Sequence, residues 1–211
     1  MTNTTDAQSD LRTPAFSALI LAGGEGRRMG GQDKGLLVLH NQPLIYWVIQ
    51  ALPASVRQRV ISCNRHLDIY ARYGEVVADQ PSDTRYAGAL AGLLAGLPYC
   101  KCDWVLVAPC DLVHYPTGFV DVAWHALSAH LAAHPHAARI AVAHDGERRQ
   151  NLCLLVHRDE AAGIAEALKT SHAVHHWLSA RQALDIPWLD QRAFMNINDP
   201  VALQAEEQHL T

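Results

Sequence analysis

Nowhere does this 211-residue chain approach the roughly 18 consecutive apolar residues that a membrane-crossing helix needs. Its first residues, Met1 to Thr13, are polar and lack the apolar centre of a secretory signal. They read as a disordered tail ahead of a single domain over residues 14–211, and the expected location is the cytoplasm. No cysteine framework exists. Cys63, Cys100, Cys102, Cys110 and Cys153 are odd in number, and the Cys100/Cys102 pair has no matching second pair. Reduced thiols fit that pattern better than a disulfide scaffold or a zinc site. Basic charge is not in excess: the net charge is −4, which gives no support for sequence-independent nucleic-acid binding. The histidines are scattered, and His172, His175 and His176 form no ligand set with nearby cysteines. Internal repeats and low-complexity segments are absent, as is any convincing Ser/His nucleophile constellation.

What is present is concentrated between Leu19 and Lys34. The apolar run Phe16–Ala22 reads as a buried strand, and it meets a turn carrying Gly23, Gly24, Gly26, Gly30 and Gly31. Glycines let backbone N–H groups approach a phosphate closely and adopt positive φ. Arg27, Arg28 and Lys34 are interleaved, and fixed cations add charge-assisted contacts to phosphate oxygens. The combination points to a nucleotide triphosphate site, although Arg27 serves phosphate or solvent equally well. Neither common phosphate loop is matched. Met29 stands where the dinucleotide fingerprint needs its third glycine, and Gln32 stands where the P-loop needs lysine.

Strand-like and helix-like segments alternate, the pattern of an α/β layered sheet. Expected strands are Phe16–Ala22, Arg59–Cys63, Glu75–Ala78, Trp104–Ala108, Arg139–His144, Asn151–His157 and Phe194–Ile197. Expected helices are Leu44–Leu52, Leu67–Tyr73, Gly88–Leu97, Gly118–Ala133, Glu160–Lys169, Ala173–Ala183 and Pro200–His209. The small residues of Gly88–Leu97 imply a helix packed very closely on the sheet. Asp145-Gly146 signals a turn inside a six-residue hairpin loop ending at Gln150. Asp111 follows the strand Trp104–Ala108, so it lies at the carboxyl edge where open α/β sheets bind ligands. A carboxylate there suits Mg²⁺, which takes one or two protein carboxylates plus substrate phosphates. The lesser alternative, from position alone, is the cap of the next helix.

The loop resembles the nucleotidyltransferase signature L-A-G-G-x-x-x-R-M-G-x-x-K. With Gly30-Gly31-Gln32-Asp33-Lys34-Gly35 it is most similar to the molybdenum cofactor guanylyltransferases. Matching segments run from about Ala18 to Pro200 and include Asn64-Arg65, Pro109-Cys110-Asp111 and Asn196-Ile197-Asn198. The resemblance implies a three-layer Rossmann-like nucleotidyltransferase fold with a mostly parallel central sheet. It implies catalytic roles for Lys34, Asp111 and Arg28, with Mg²⁺ on Asp111. It implies a GTP site from Leu21, Ala22, Gly23, Gly24, Lys34, Asn64, Asp79, Gly88 and Asp111. Arg148, Asn196 and Asn198 are the implied contacts to the acceptor, Mo-molybdopterin. Three departures stand out: Ala89 replaces a proline, Leu112–Pro116 differs from the usual loop, and Pro81–Ala87 is longer than usual.

The expected activity is transfer of GMP from GTP to the terminal phosphate of molybdopterin. A molybdenum insertase and molybdoenzyme chaperones are the implied protein partners. Other readings are a cytidylyltransferase on the same pterin, a sugar-1-phosphate nucleotidyltransferase, a GTP-binding cofactor carrier without catalysis, and a nicotinamide-dependent oxidoreductase. Met29 counts against the last, and the presence of both Lys34 and Asp111 counts against a passive carrier.

Overall fold

The structure, a computed structural model, describes residues 13–24, 30–78 and 88–209. All of the expected N-terminal tail but Thr13 lies outside the described residues. Seven strands form the main sheet: β1 (Phe16–Leu21), β4 (Val56–Ser62), β5 (Glu75–Val77), β6 (Trp104–Pro109), β7 (Ile140–His144), β8 (Arg149–His157) and β9 (Leu184–Pro187). Their spatial order is β5-β4-β1-β6-β8-β7-β9. Only β8 runs against the others, pairing antiparallel with both β6 and β7. A two-stranded ribbon, β2 (Val38–Leu39) and β3 (Gln42–Pro43), precedes the first helix. Its tight turn places His40 and Asn41 at positive φ, the geometry of a two-residue hairpin.

Helices cover both faces. On one side lie α3 (Gly88–Gly96), α5 (Ala161–Ala167) and α6 (Val174–Ala180). On the other lie α1 (Leu44–Ala51), the short α2 (Leu67–Tyr70) and α4 (Phe119–Ala133), and α7 (Pro200–His209) closes the described chain. Strand alternation builds the two cores. Leu19 and Leu21 of β1 with Val105 and Val107 of β6 pack toward Leu90 and Leu93 of α3 and Trp177 of α6. Leu106 and Ala108 of β6 pack with Phe119, Ala123 and Leu127 of α4. Helix α3 does sit very close to the sheet: a Cβ at Gly92 would lie 2.8 Å from Ser62 Oγ, and one at Gly96 would overlap Leu19.

Two expectations are corrected. Phe194–Ile197 is not a strand. Residues Gln191–Phe194 form a 3-10 turn, opened by Asp190, whose side chain accepts from the Arg192 N–H. Ile197 is buried, but its N–H bonds to the Asp111 carbonyl rather than to a strand neighbour. The last strand is instead Leu184–Pro187, parallel to β7. Its proline and short length disguise it in the sequence, and both are tolerated at a sheet edge. The hairpin loop is also shorter than expected, because β8 begins at Arg149 and pairs it with His144.

Candidate active site

The chain leaves β1 toward β4 on one side and later returns through β6 on the other, so the strand order reverses between β1 and β6. Ligands in open α/β sheets bind outside the carboxyl ends of the strands at such a point. Two of the chemically loaded segments meet there. Residues 22–24 and 30–36 follow β1, and Cys110-Asp111 follows β6, with the Cys110 N–H bonded to the Leu21 carbonyl at 3.1 Å.

Lys34 joins two of the other residues picked out from the sequence. Its Nζ donates to Asp111 Oδ2 at 3.1 Å and to Asn198 Oδ1 at 2.6 Å. These partners are separated by 77 and 164 positions from the lysine. Asn198 is held in place because the neighbouring Ile197 N–H bonds to the Asp111 carbonyl at 3.1 Å. Asp111 is buried, whereas the Lys34 side chain keeps about a quarter of its surface exposed. The cation therefore sits at the mouth of the site with its carboxylate behind it.

Gly24 and Gly31 are held by Arg65, which the resemblance picks out only as part of the Asn64-Arg65 pair. Arg65 donates from Nη1 to the Gly31 carbonyl at 2.7 Å and from Nη2 to the Gly24 carbonyl at 3.0 Å. One guanidinium thus ties together the two described ends of the loop. Gly30 and Gly31 have φ of 64° and 83°, where side chains with a Cβ are strained. Arg65 was legible only as half of the Asn64-Arg65 pair. Asn64 itself lies exposed just beyond β4. Leu21 and Ala22 are buried, with the Ala22 N–H on the Ser62 carbonyl at 2.8 Å, and Gly23 and Gly24 open outward from them. Gly88 begins α3 at φ 67°. Arg28 and Asp79 lie outside the described residues, as does Arg27.

The acceptor-side residues are spread out. Arg148 is 81% exposed, and its Nε stands 3.9 Å from Asp145 Oδ2. Asp145 accepts from the backbone N–H groups of Glu147 and Arg148, each at 2.8 Å, and from Gln150 Nε2 at 2.6 Å. Those backbone donors, Arg148 first and then Glu147, hold its carboxyl below the usual carboxylate range. Asn196 does not join Asn198 on Lys34. It lines a cavity of about 110 Å³ with Gln150, Asn151 and Phe194, and its Oδ1 is buried with no hydrogen-bond partner among the described residues.

The donor set limits the chemistry. Among the described residues no three His, Cys, Asp or Glu side chains come together as a metal cage. A single buried carboxylate with amide oxygen nearby fits Mg²⁺, which keeps waters and takes substrate phosphates as ligands. It does not fit a closed zinc site. Burial and then the Asp111 charge push the Cys110 thiol well up, which disfavours its thiolate.

This mostly parallel sheet, with a glycine loop after its first strand and a carboxylate after its fourth, has the nucleotidyltransferase fold. The solved structures share this fold. A molybdopterin-guanine dinucleotide biosynthesis protein A from Archaeoglobus fulgidus superposes with a TM-score of 0.71 at 21% identity, covering 92% of this chain and 98% of that one. A CMP:2-keto-3-deoxy-manno-octonic acid synthetase complexed with CTP superposes with a TM-score of 0.62 at 12% identity, over 93% and 98%. Residues 18–193 match the MobA-like NTP transferase domain, and the chain belongs to that family. It is 35% identical to the molybdenum cofactor guanylyltransferase of Shewanella loihica over 192 residues, 89% of this chain and 93% of the relative. It is 36% identical to that of Burkholderia vietnamiensis over 192 residues, 88% and 92%. Among the described residues no helix is long and apolar enough to cross a membrane.

Proposed function

We propose that this protein transfers GMP from GTP to the terminal phosphate of molybdopterin, forming molybdopterin guanine dinucleotide. The observation that carries the reading is the Lys34 ammonium held between Asp111 and Asn198 at the strand-order reversal. The acceptor phosphate oxygen attacks the α-phosphorus of GTP, the bond to the bridging β-oxygen breaks, and pyrophosphate leaves with that electron pair. The acceptor phosphate is already ionised at neutral pH, so the protein's task is positioning and charge neutralisation rather than proton removal.

Lys34 follows the triphosphate charge as a flexible point cation, supported by Arg28. Backbone groups of Leu21, Ala22, Gly23, Gly24 and Gly88 line the nucleotide, and Asn64 and Asp79 orient base and ribose. Asp111 would hold Mg²⁺, which supplies positive charge to the phosphates when bound. Arg148, Asn196 and Asn198 face the acceptor. The product must then pass to molybdoenzyme chaperones and the substrate must arrive from a molybdenum insertase, both in the cytoplasm.

The test is pyrophosphate release with molybdopterin and Mg²⁺, offering GTP, CTP, ATP and UTP in turn. Release with GTP alone, reduced about 10³-fold in Asp111→Ala, supports the reading and the metal site. Release with CTP instead keeps the mechanism and overturns the base assignment. GTP binding without release with any nucleotide returns the carrier reading.

A further inference from the structure

Tyr70 lies outside every motif, yet it is fully buried, on α2, against Ile61, Cys63 and Cys110. A phenol buried among apolar groups needs a partner for its hydroxyl. Tyr70 finds it in Asp33: the hydroxyl donates to Oδ1 at 2.5 Å. Burial, with the neighbouring Cys110 and Asp33 after it, raises the phenol above its ordinary value, so it stays a proton donor. Asp33 is itself buried, and its Oδ2 has no hydrogen-bond partner among the described residues. The Tyr70 hydroxyl is thus the side-chain donor that Asp33 meets among the described residues.

Asp33 opens the one-turn 3-10 helix Lys34–Leu36, and its carbonyl accepts the Leu36 N–H at 3.1 Å. The other side of Lys34 is fixed as well. Gly35 is buried against the same tyrosine: a Cβ there would overlap the Tyr70 hydroxyl and lie 3.2 Å from Cys110 Cβ. Both neighbours of Lys34 in the chain therefore rest on one phenol. A lysine side chain is long and flexible, so where its Nζ points depends on how firmly its backbone is held.

We propose that Tyr70 is a positioning residue for Lys34, its hydroxyl locking the Asp33–Gly35 turn so that the ammonium is aimed at Asp111 and Asn198. The inference rests on the role given to Lys34 in the proposed reaction. It adds a distant residue that touches no substrate.

The experiment is a double-mutant cycle on the full chain, with Tyr70→Phe, Lys34→Ala and the double variant. Each is assayed for kcat and KM in guanylyl transfer and for the stoichiometry of GTP binding. Tyr70→Phe keeps the ring and removes only the hydroxyl. It should bind one GTP per chain with KM changed less than about threefold, while kcat falls roughly tenfold, since small misplacements of a catalytic group cost rate. In the Lys34→Ala background the same change should cost nothing further. A purely structural tyrosine would instead lower the GTP-binding stoichiometry and leave kcat per bound site intact. An unchanged kcat in Tyr70→Phe, or an equal loss in both backgrounds, overturns the proposal while leaving the reaction standing. Full activity of Lys34→Ala overturns the lysine's role and this inference with it. Should Tyr70→Phe not fold, Asp33 carries the test. Asp33→Asn keeps an acceptor for the hydroxyl and should lose less kcat than Asp33→Ala, and equal losses overturn the proposal.

Discussion

Two turns leave the same edge of the sheet and are held by opposite means. The turn around Lys34, after β1, is secured by partners remote in sequence: Tyr70 on Asp33, Arg65 on Gly24 and Gly31, Asp111 and Asn198 on Lys34 itself. The turn between β7 and β8 is secured from within. Asp145 gathers the N–H groups of Glu147 and Arg148 and the amide of Gln150, and Arg148 extends into solvent. The first needs partners that only the folded chain brings together. The second forms locally and leaves its cation exposed. A triphosphate whose α-phosphorus must be placed in line suits the turn tied from several sides. A second substrate that arrives and departs suits the exposed cation.

That contrast is broken most severely at Lys34. Lys34→Ala should lower kcat/KM for pyrophosphate release about 10²–10³-fold, because it removes a cation from the developing phosphate charge. Its circular dichroism should stay that of the wild type. The acceptor side should respond far less. Arg148→Ala should raise KM for molybdopterin about two- to fivefold, the scale of one exposed charge contact, with KM for GTP unmoved. A change in KM for GTP would place Arg148 with the nucleotide instead.

The smallest effect sharpens the comparison through pH. Backbone donors depress the Asp145 carboxyl in the folded chain, so its stabilisation is present above the unfolded value near about 4 and fades as pH falls through the lower folded value. Asp145→Asn should melt slightly below wild type at neutral pH. The gap should close on acidification below about pH 4, as followed by thermal melts.

The difference between the turns also explains what the sequence reveals. The local one is readable, since Asp145-Gly146 announces itself, although β8 starts two residues earlier than the apolar pattern indicates because Arg149 reaches Asp185 at 2.6 Å from the strand end. The central strands β1 and β6 are readable too, because they are continuous apolar runs buried on both faces. The roles of Arg65 and Tyr70 are not. Each spends its polar atoms on partners dozens of residues away, and Tyr70 reads simply as the apolar face of a short helix. Phe194–Ile197 misleads for a related reason: Phe194 and Ile197 are buried, but the Ile197 N–H bonds to the Asp111 carbonyl rather than to a strand. Lys34, Asp111 and Asn198 could be listed from the sequence, while their meeting at one ammonium is a product of the fold.

The crowding of Gly35 against the Tyr70 hydroxyl also bears on how such a chain can diverge. A single nucleotide change giving alanine at position 35 meets a buried oxygen on another helix, so by itself it forces the tyrosine to shift. The change is easier once position 70 has given up its hydroxyl, which makes the order of the two changes matter. Among descendants of a common ancestor the glycine and the tyrosine should therefore be inherited as a linked pair, although 34 residues lie between them in the chain.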